Sequence, residues 1–213
     1  MSEPKLIYQD MHICVIEKPA GISSEAQMIE KLNQLYGLKA YAVHRLDKEA
    51  GGLMVYALNS EAAAGLSSAI AAGEFEKIYL AVVIGHMPEA SGMLEDYLYH
   101  DKNRNKSYSV KSERKGVKYA KLEYSVLSER EFDGICLSLV RIRLHTGRTH
   151  QIRVQFSSRK HPLYGDGRYG GKAKASRLCL WSHKLGFCHP ATGERMEFTL
   201  APPEVFPWTL FEL

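Results

Sequence analysis

No apolar run in the 213 residues approaches the ~18–20 that a helix needs to cross a bilayer. The first fifteen residues, MSEPKLIYQDMHICV, lack the charged-then-apolar order of a secretion signal. Cysteine is scarce: Cys14, Cys136, Cys179 and Cys188 lie far apart, with no CxxC pair. That spacing argues against a disulfide framework and suits a reducing compartment. Internal repeats, low-complexity segments and Pro/Ser-rich linkers are also missing. These absences favour one domain over residues 1–213, cytoplasmic and away from membranes. What is present agrees: 45% apolar and 24% charged residues are ordinary values for a globular chain able to bury its own core.

Net charge is only +4, but it is unevenly spread. Residues 101–121 hold eight Lys/Arg against two acids, and residues 141–177 hold ten against Asp166 alone. Two basic segments on an otherwise acidic chain suit a polyanionic partner if they share a surface. The sequence leaves open whether they meet. Tyr108, Tyr119, Tyr124, Tyr164 and Tyr169 lie among these charges, where bases could stack on them or where they could simply fill a core.

Residues 6–17 read as two strands around a turn at Gln9-Asp10-Met11, broken by Lys18-Pro19-Ala20-Gly21. Ser24 and Gln27 have capping-box spacing ahead of a helix carrying Met28, Ile29, Leu32, Leu35 and Tyr36, which Gly37 stops. A strand over 53–58, an alanine-rich helix over 61–72 ended by Gly73 and a β-branched strand over 76–85 follow. Alternation marks a half-exposed strand over 120–126, and another runs over 135–144 with Arg141 and Arg143 on one face. Gly147 turns the chain into a short helix ending at Phe156, with Thr149 as its expected N-cap. Residues 178–199 read as strand, turn, strand. Strands joined mostly by turns, with a few helices, predict an α+β fold on a largely antiparallel sheet with flanking helices.

Two segments concentrate reactive groups. His44-Arg45-Leu46-Asp47-Lys48 places a carboxylate between cations, ahead of Gly51-Gly52, which permits a tight turn or close approach of a ligand. Arg143 to Arg153 (RLHTGRTHQIR) gathers three arginines, Arg143, Arg148 and Arg153, with His145 and His150, around a turn and a helix start suited to an anion.

The chain resembles the RluA-type family of RNA pseudouridine synthases over nearly its whole length. Residues 6–21 (LIYQDMHICVIEKPAG) match the family's opening strand and Lys-Pro-x-Gly turn. His44-Arg45-Leu46-Asp47 matches the segment of the catalytic aspartate, and Lys77 to Val83 (KIYLAVV) the strand of the active-site tyrosine. Gly147 to Arg153 (GRTHQIR) matches the segment of the active-site arginine, and His161 to Asp166 (HPLYGD) the piece after it. Two departures stand out: Ala50-Gly51 replaces the family's Thr-Ser, and Glu17 replaces the asparagine before Lys-Pro. The match begins directly on the catalytic domain, so RNA affinity is expected from the two basic segments rather than from a preceding RNA-binding domain.

The resemblance implies a pseudouridine-synthase-like fold and an isomerisation of uridine in structured ribosomal or transfer RNA, with Asp47, Tyr79 and Arg153 as catalytic residues. Arg45, Leu46, Arg148 and His150 are expected at the RNA. The uracil is detached from its ribose, rotated and rejoined through carbon. Such a nucleotide must be flipped out of its stack at a cost of about a few kcal/mol, less where it is already unstacked. Asp47 could attack the sugar, attack the ring or deprotonate the ribose; Arg153 would pair with it, and Tyr79 would lie against the uracil. Isomerisation implies no cofactor. Cys179, His183, Cys188 and His189 have no common metal-ligand spacing, so no metal is expected. A monomer without an obligate protein partner is the default. The alternatives are an RNA-binding or RNA-folding protein with weak or lost catalysis, which the Ala50-Gly51 departure favours, and an aspartate-nucleophile hydrolase, which lacks its second carboxylate.

Overall fold

The computed structural model describes residues 3–170 and 177–212, so Lys172 and Lys174 of the second basic segment lie outside the described residues. The chain forms two compact units, residues 1–78 with 181–202 and residues 79–180 with 203–213. Both combine antiparallel ladders with short helices, which is the α+β class read from the sequence.

The first unit is built on β1 (Lys5–Gln9), β2 (Ile13–Lys18), β3 (Tyr41–Ala42) and β4 (Gly51–Ala57), with α1 (Ala26–Tyr36) and α2 (Ser60–Ala72). The late strands β10 (Leu180–Cys188) and β11 (Arg195–Thr199) complete it. Antiparallel pairing joins β1 to β2, β2 to β4, β3 to β4 and β10 to β11, whereas β4 and β10 run parallel through Trp181–Gly51 and Ser182–Gly52. Every residue of β4 is buried, and Leu53, Val55 and Ala57 join Ile13, Val15, Leu66, Phe75, Leu185 and Phe187 in one core. That explains why β4 reads as a continuous apolar run without alternation.

Helix α1 buries only Met28 and Leu32; Leu35 and Tyr36 stay exposed. It ends as expected: Gly37 takes φ +67 and donates to Asn33 O at 2.9 Å, while Leu38 N donates to Leu32 O. Its start differs from the expected capping box. The Ser24 hydroxyl is committed to the backbone of Leu46, and Gln27 Oε1 instead accepts from Ser23 N at 2.9 Å. Asn59 caps α2 by accepting from Ala62 N, and Gly73 closes it at φ +77.

The second unit holds most of β5 (Glu76–Ile84), then β6 (Ser91–Asp101), β7 (Lys106–Val110), β8 (Val117–Phe132), β9 (Ile135–Leu144) and α3 (Gln151–Ser157). Their order in the sheet is β5-β9-β8-β6-β7. Strand β8 spans sixteen residues, far beyond the alternating stretch visible in the sequence, and β6 and β7 were not legible there at all. Strand β6 pairs antiparallel with β8, from Ser91–Ser125 to Tyr99–Val117, and β7 pairs antiparallel with β6. Leu98, Ala120, Val154 and Tyr169 form a small core beneath α3. The cap of α3 is His150 at φ +55, not Thr149, whose carbonyl accepts from the Ser107 hydroxyl at 2.6 Å. Histidine tolerates this left-handed conformation better than branched residues do.

Candidate active site

In the first unit the Asp47 segment is pinned on both sides. The Ser24 hydroxyl donates to Leu46 O at 3.0 Å and accepts from Leu46 N at 3.2 Å, and Ser24 O accepts from the Tyr56 hydroxyl at 2.6 Å. On the other side, Lys48 O accepts from Gly21 N at 2.7 Å and from Lys18 Nζ at 3.4 Å. The turn closes where Ala50 N donates to Asp47 O. Leu46 is buried beneath this arrangement, Asp47 is half-buried and Arg45 is exposed.

Lys18 anchors the Lys-Pro-x-Gly turn. It is fully buried, and its Nζ also donates to Pro19 O at 2.9 Å and Ile22 O at 2.8 Å. Burial pushes its ammonium down to about 8, against the opposing charges of Asp47 and Glu49. Gly21 reaches φ +93 to complete the turn. His44 has a different part: its Nε2 accepts from Val55 N at 3.2 Å and its ring lies against Phe75. Nδ1 is shut off from solvent with no hydrogen-bond partner among the described residues, and burial lowers the imidazole to about 3. His44 is therefore a neutral structural tie between the Asp47 segment and β4.

The glycine pair answers to packing rather than to a ligand. It lies inside β4, two residues before the strand expected from sequence. A Cβ on Gly51 would come within 2.5 Å of the Trp181 indole, and one on Gly52, at φ +110, within 2.4 Å of Ser182 O. In this chain the Trp181 indole occupies the space in which a side chain at position 51 would sit. Nothing in the structure explains Glu17.

In the second unit the two basic segments meet. Arg148 Nε donates to Tyr119 O at 2.8 Å, and Lys121 O accepts from His145 N, Thr146 N and Gln151 Nε2. Arg168 Nη1 donates to Arg104 O and Asn105 O, both at 3.1 Å. This unit carries 19 Lys/Arg against 12 Asp/Glu, whereas the first carries nine against twelve. Lys102, Arg104, Lys111, Arg114, Lys115 and Lys118 are exposed, as are Arg141 and Arg143 on β9. The question left open by the sequence is settled: the basic residues share one unit.

Arg153 sits in the first turn of α3 and is 3% exposed. Its Nε donates to Asp166 Oδ2 at 2.7 Å and its Nη2 to Asp166 Oδ1 at 2.9 Å, with its guanidinium carbon 5.2 Å from the Tyr169 ring centre. His150 is buried, its Nδ1 3.0 Å from the Tyr169 hydroxyl, which also accepts from Ser107 N. Tyr79 is buried in β5. Sequence reading placed Asp166 only in a matching string; its paired oxygens become visible as a partner of Arg153 only in three dimensions.

Residues 12–158 match the family model described as RNA pseudouridylate synthase. The chain belongs to the RNA pseudouridylate synthase family. It is 35% identical to the dual-specificity RNA pseudouridine synthase RluA of Yersinia pestis, covering 91% of this chain and 96% of that protein. It is 31% identical to ribosomal large subunit pseudouridine synthase D of Zymomonas mobilis, covering 94% of this chain and 69% of that one. Its fold is similar to that of human RNA pseudouridylate synthase domain containing 1, with a TM-score of 0.83, 24% identity, and 95% and 85% of the two chains covered. The synthase is accordingly an isomerase that converts uridine to pseudouridine.

Cys179 is buried with its Sγ toward Arg177 O, His183 Nδ1 faces Leu200 O, His189 Nε2 faces Asp10, and Cys188 is exposed. Among the described residues, the one grouping with metal-ligand spacing is His86, Glu129 and Cys136. There Glu129 already faces His86 Nδ1 and accepts from Ser138 and Met87 N, an arrangement complete as a tie between strands. Among the described residues no helix is long and apolar enough to cross a membrane.

Proposed function

We propose that this synthase isomerises particular uridines in structured ribosomal or transfer RNA, with Asp47 as the catalytic carboxylate. Arg153 and Tyr79 complete the proposed catalytic set, Tyr79 as the group that limits the rotation of the detached uracil. The observation that carries the reading is the fixation of residues 46 and 48 by Ser24, Gly21 and Lys18, which sets the backbone on both sides of Asp47. A backbone fixed on both sides of a carboxylate reduces the reorganisation needed to meet a substrate. The exposed basic residues of the second unit support RNA binding through phosphate contacts, and Arg45 and Arg148 are proposed as further cations for the RNA. Leu46 and His150, both buried, enter as residues that fix the turn and the helix start. Residues 1–213 serve as one catalytic domain, acting in the cytoplasm as a monomer without a cofactor.

The test is incubation of purified protein with ribosomal and transfer RNA lacking its modifications, followed by mapping of pseudouridine. Discrete new pseudouridines are expected. Tight binding without any would contradict the proposal.

A further inference from the structure

The geometry points to Asp166 as a positioning residue for catalysis, one that aims the Arg153 guanidinium. This inference rests on the proposed role of Arg153. A guanidinium carries five N–H groups in a rigid plane, so two parallel bonds to one carboxylate fix both its position and its tilt. Arg153 makes such a fork through Nε and Nη2, at 2.7 and 2.9 Å. The pair is almost fully enclosed, with 3% of the Arg153 side chain and none of the Asp166 side chain reaching solvent. Removing one partner of a pair this deep leaves an uncompensated charge, so the two are bound to act as a unit.

Asp166 is itself held rigidly. Its Oδ1 accepts from Arg168 N at 3.1 Å and from Tyr169 N at 3.2 Å, in addition to Arg153. Its own N–H donates to Leu163 O, and the preceding residues are tied to β5: Tyr164 N donates to Val82 O, and Ile84 N donates to Pro162 O. Beneath the fork, the Tyr169 ring carries the guanidinium on its face. The carboxylate thus refers the angle of Arg153 to the strand that bears Tyr79. The fork engages the Nε edge and leaves Nη1 on the side away from Asp166, so the direction in which the arginine presents its remaining N–H groups is set by this one carboxylate.

Asp166→Asn keeps the acceptor for Arg168 N and Tyr169 N but turns an amide N–H₂ toward a guanidinium N–H. We expect kcat to fall at least tenfold with KM for RNA within about twofold of wild type. Ser157→Ala is the control: it removes the 2.6 Å bond from the Ser157 hydroxyl to Tyr169 O, loosening the same loop without touching the fork. It should lower stability while leaving kcat unchanged. Should Asp166→Asn fail to fold, NMR of the wild-type protein decides. The Arg153 Nε–H signal should exchange with solvent at least 100-fold more slowly than those of the exposed arginines. Wild-type kcat in a folded Asp166→Asn, or rapid exchange of Arg153 Nε–H, would overturn the inference. A failure of the catalytic reading itself is separable, since it shows as retained activity in Asp47→Asn whatever Asp166 does.

Discussion

Acid should weaken this protein through His44. Its imidazole sits at about 3 in the folded chain against an ordinary value of 6.5, because burial penalises the cation. Below pH 6.5 the unfolded chain takes up a proton that the folded chain refuses. His44 therefore costs nothing at pH 7, and stability is lost as pH falls from about 6.5 toward about 3. In full that gap corresponds to about 5 kcal/mol, and at pH 5 the part already lost is about 2 kcal/mol. His44→Gln keeps an acceptor for Val55 N but does not titrate. At neutral pH it should be less stable than wild type by about 1 kcal/mol, having lost the ring contact with Phe75. Urea unfolding of both proteins at pH 7 and pH 5 isolates the effect, because every other titrating group is common to the pair. The wild type should lose about 2 kcal/mol more than the variant between the two pH values. A difference between them that stays constant within about 0.5 kcal/mol would refute a buried neutral histidine at this position.

Lys18→Met removes two charge-assisted bonds of good length and leaves the carbonyls of Pro19 and Ile22 without their donor. It should destabilise by about 3 kcal/mol in the same urea assay. Gly51→Ser should cost about 1–3 kcal/mol through its clash with the Trp181 ring, and Trp181→Leu in the same chain should recover part of that loss, giving a measurable coupling in a double-mutant cycle. RNA affinity should fall steeply with salt, and replacing Lys118 and Arg141 together by glutamine should flatten the slope of log K against log salt by about 1.4–1.8. An unchanged slope would remove those residues from the RNA surface.

The features legible in the sequence were those set locally. The positive-φ glycines at 37 and 73, the turn after Lys18 and the strand over 135–144 depend on neighbours in the chain, and each stands where it was read. Strands β6 and β7 escaped because their burial is irregular, with exposed Tyr99 and Met93 among the buried Leu94 and Leu98. The start of β4 was misjudged because the need for Gly51 and Gly52 comes from β10, some 130 residues away. Ser24 looked like a helix cap until its hydroxyl met Leu46, a contact between residues 22 apart. Asp47 and Arg153 stood out in the sequence through the strings around them, whereas Lys18 and Asp166 show their parts only through long-range hydrogen bonds. Whether the basic segments meet was likewise a tertiary matter, visible in bonds such as Arg148 to Tyr119.

The sharpest test of the account is pseudouridine formation by Asp47→Asn on an RNA that the wild type modifies, measured beside RNA affinity. The substitution keeps the size of the side chain and removes its charge. Pseudouridine should drop to background while the RNA dissociation constant stays within about threefold of wild type. Undiminished conversion by the variant would contradict the assignment of Asp47 as the catalytic group.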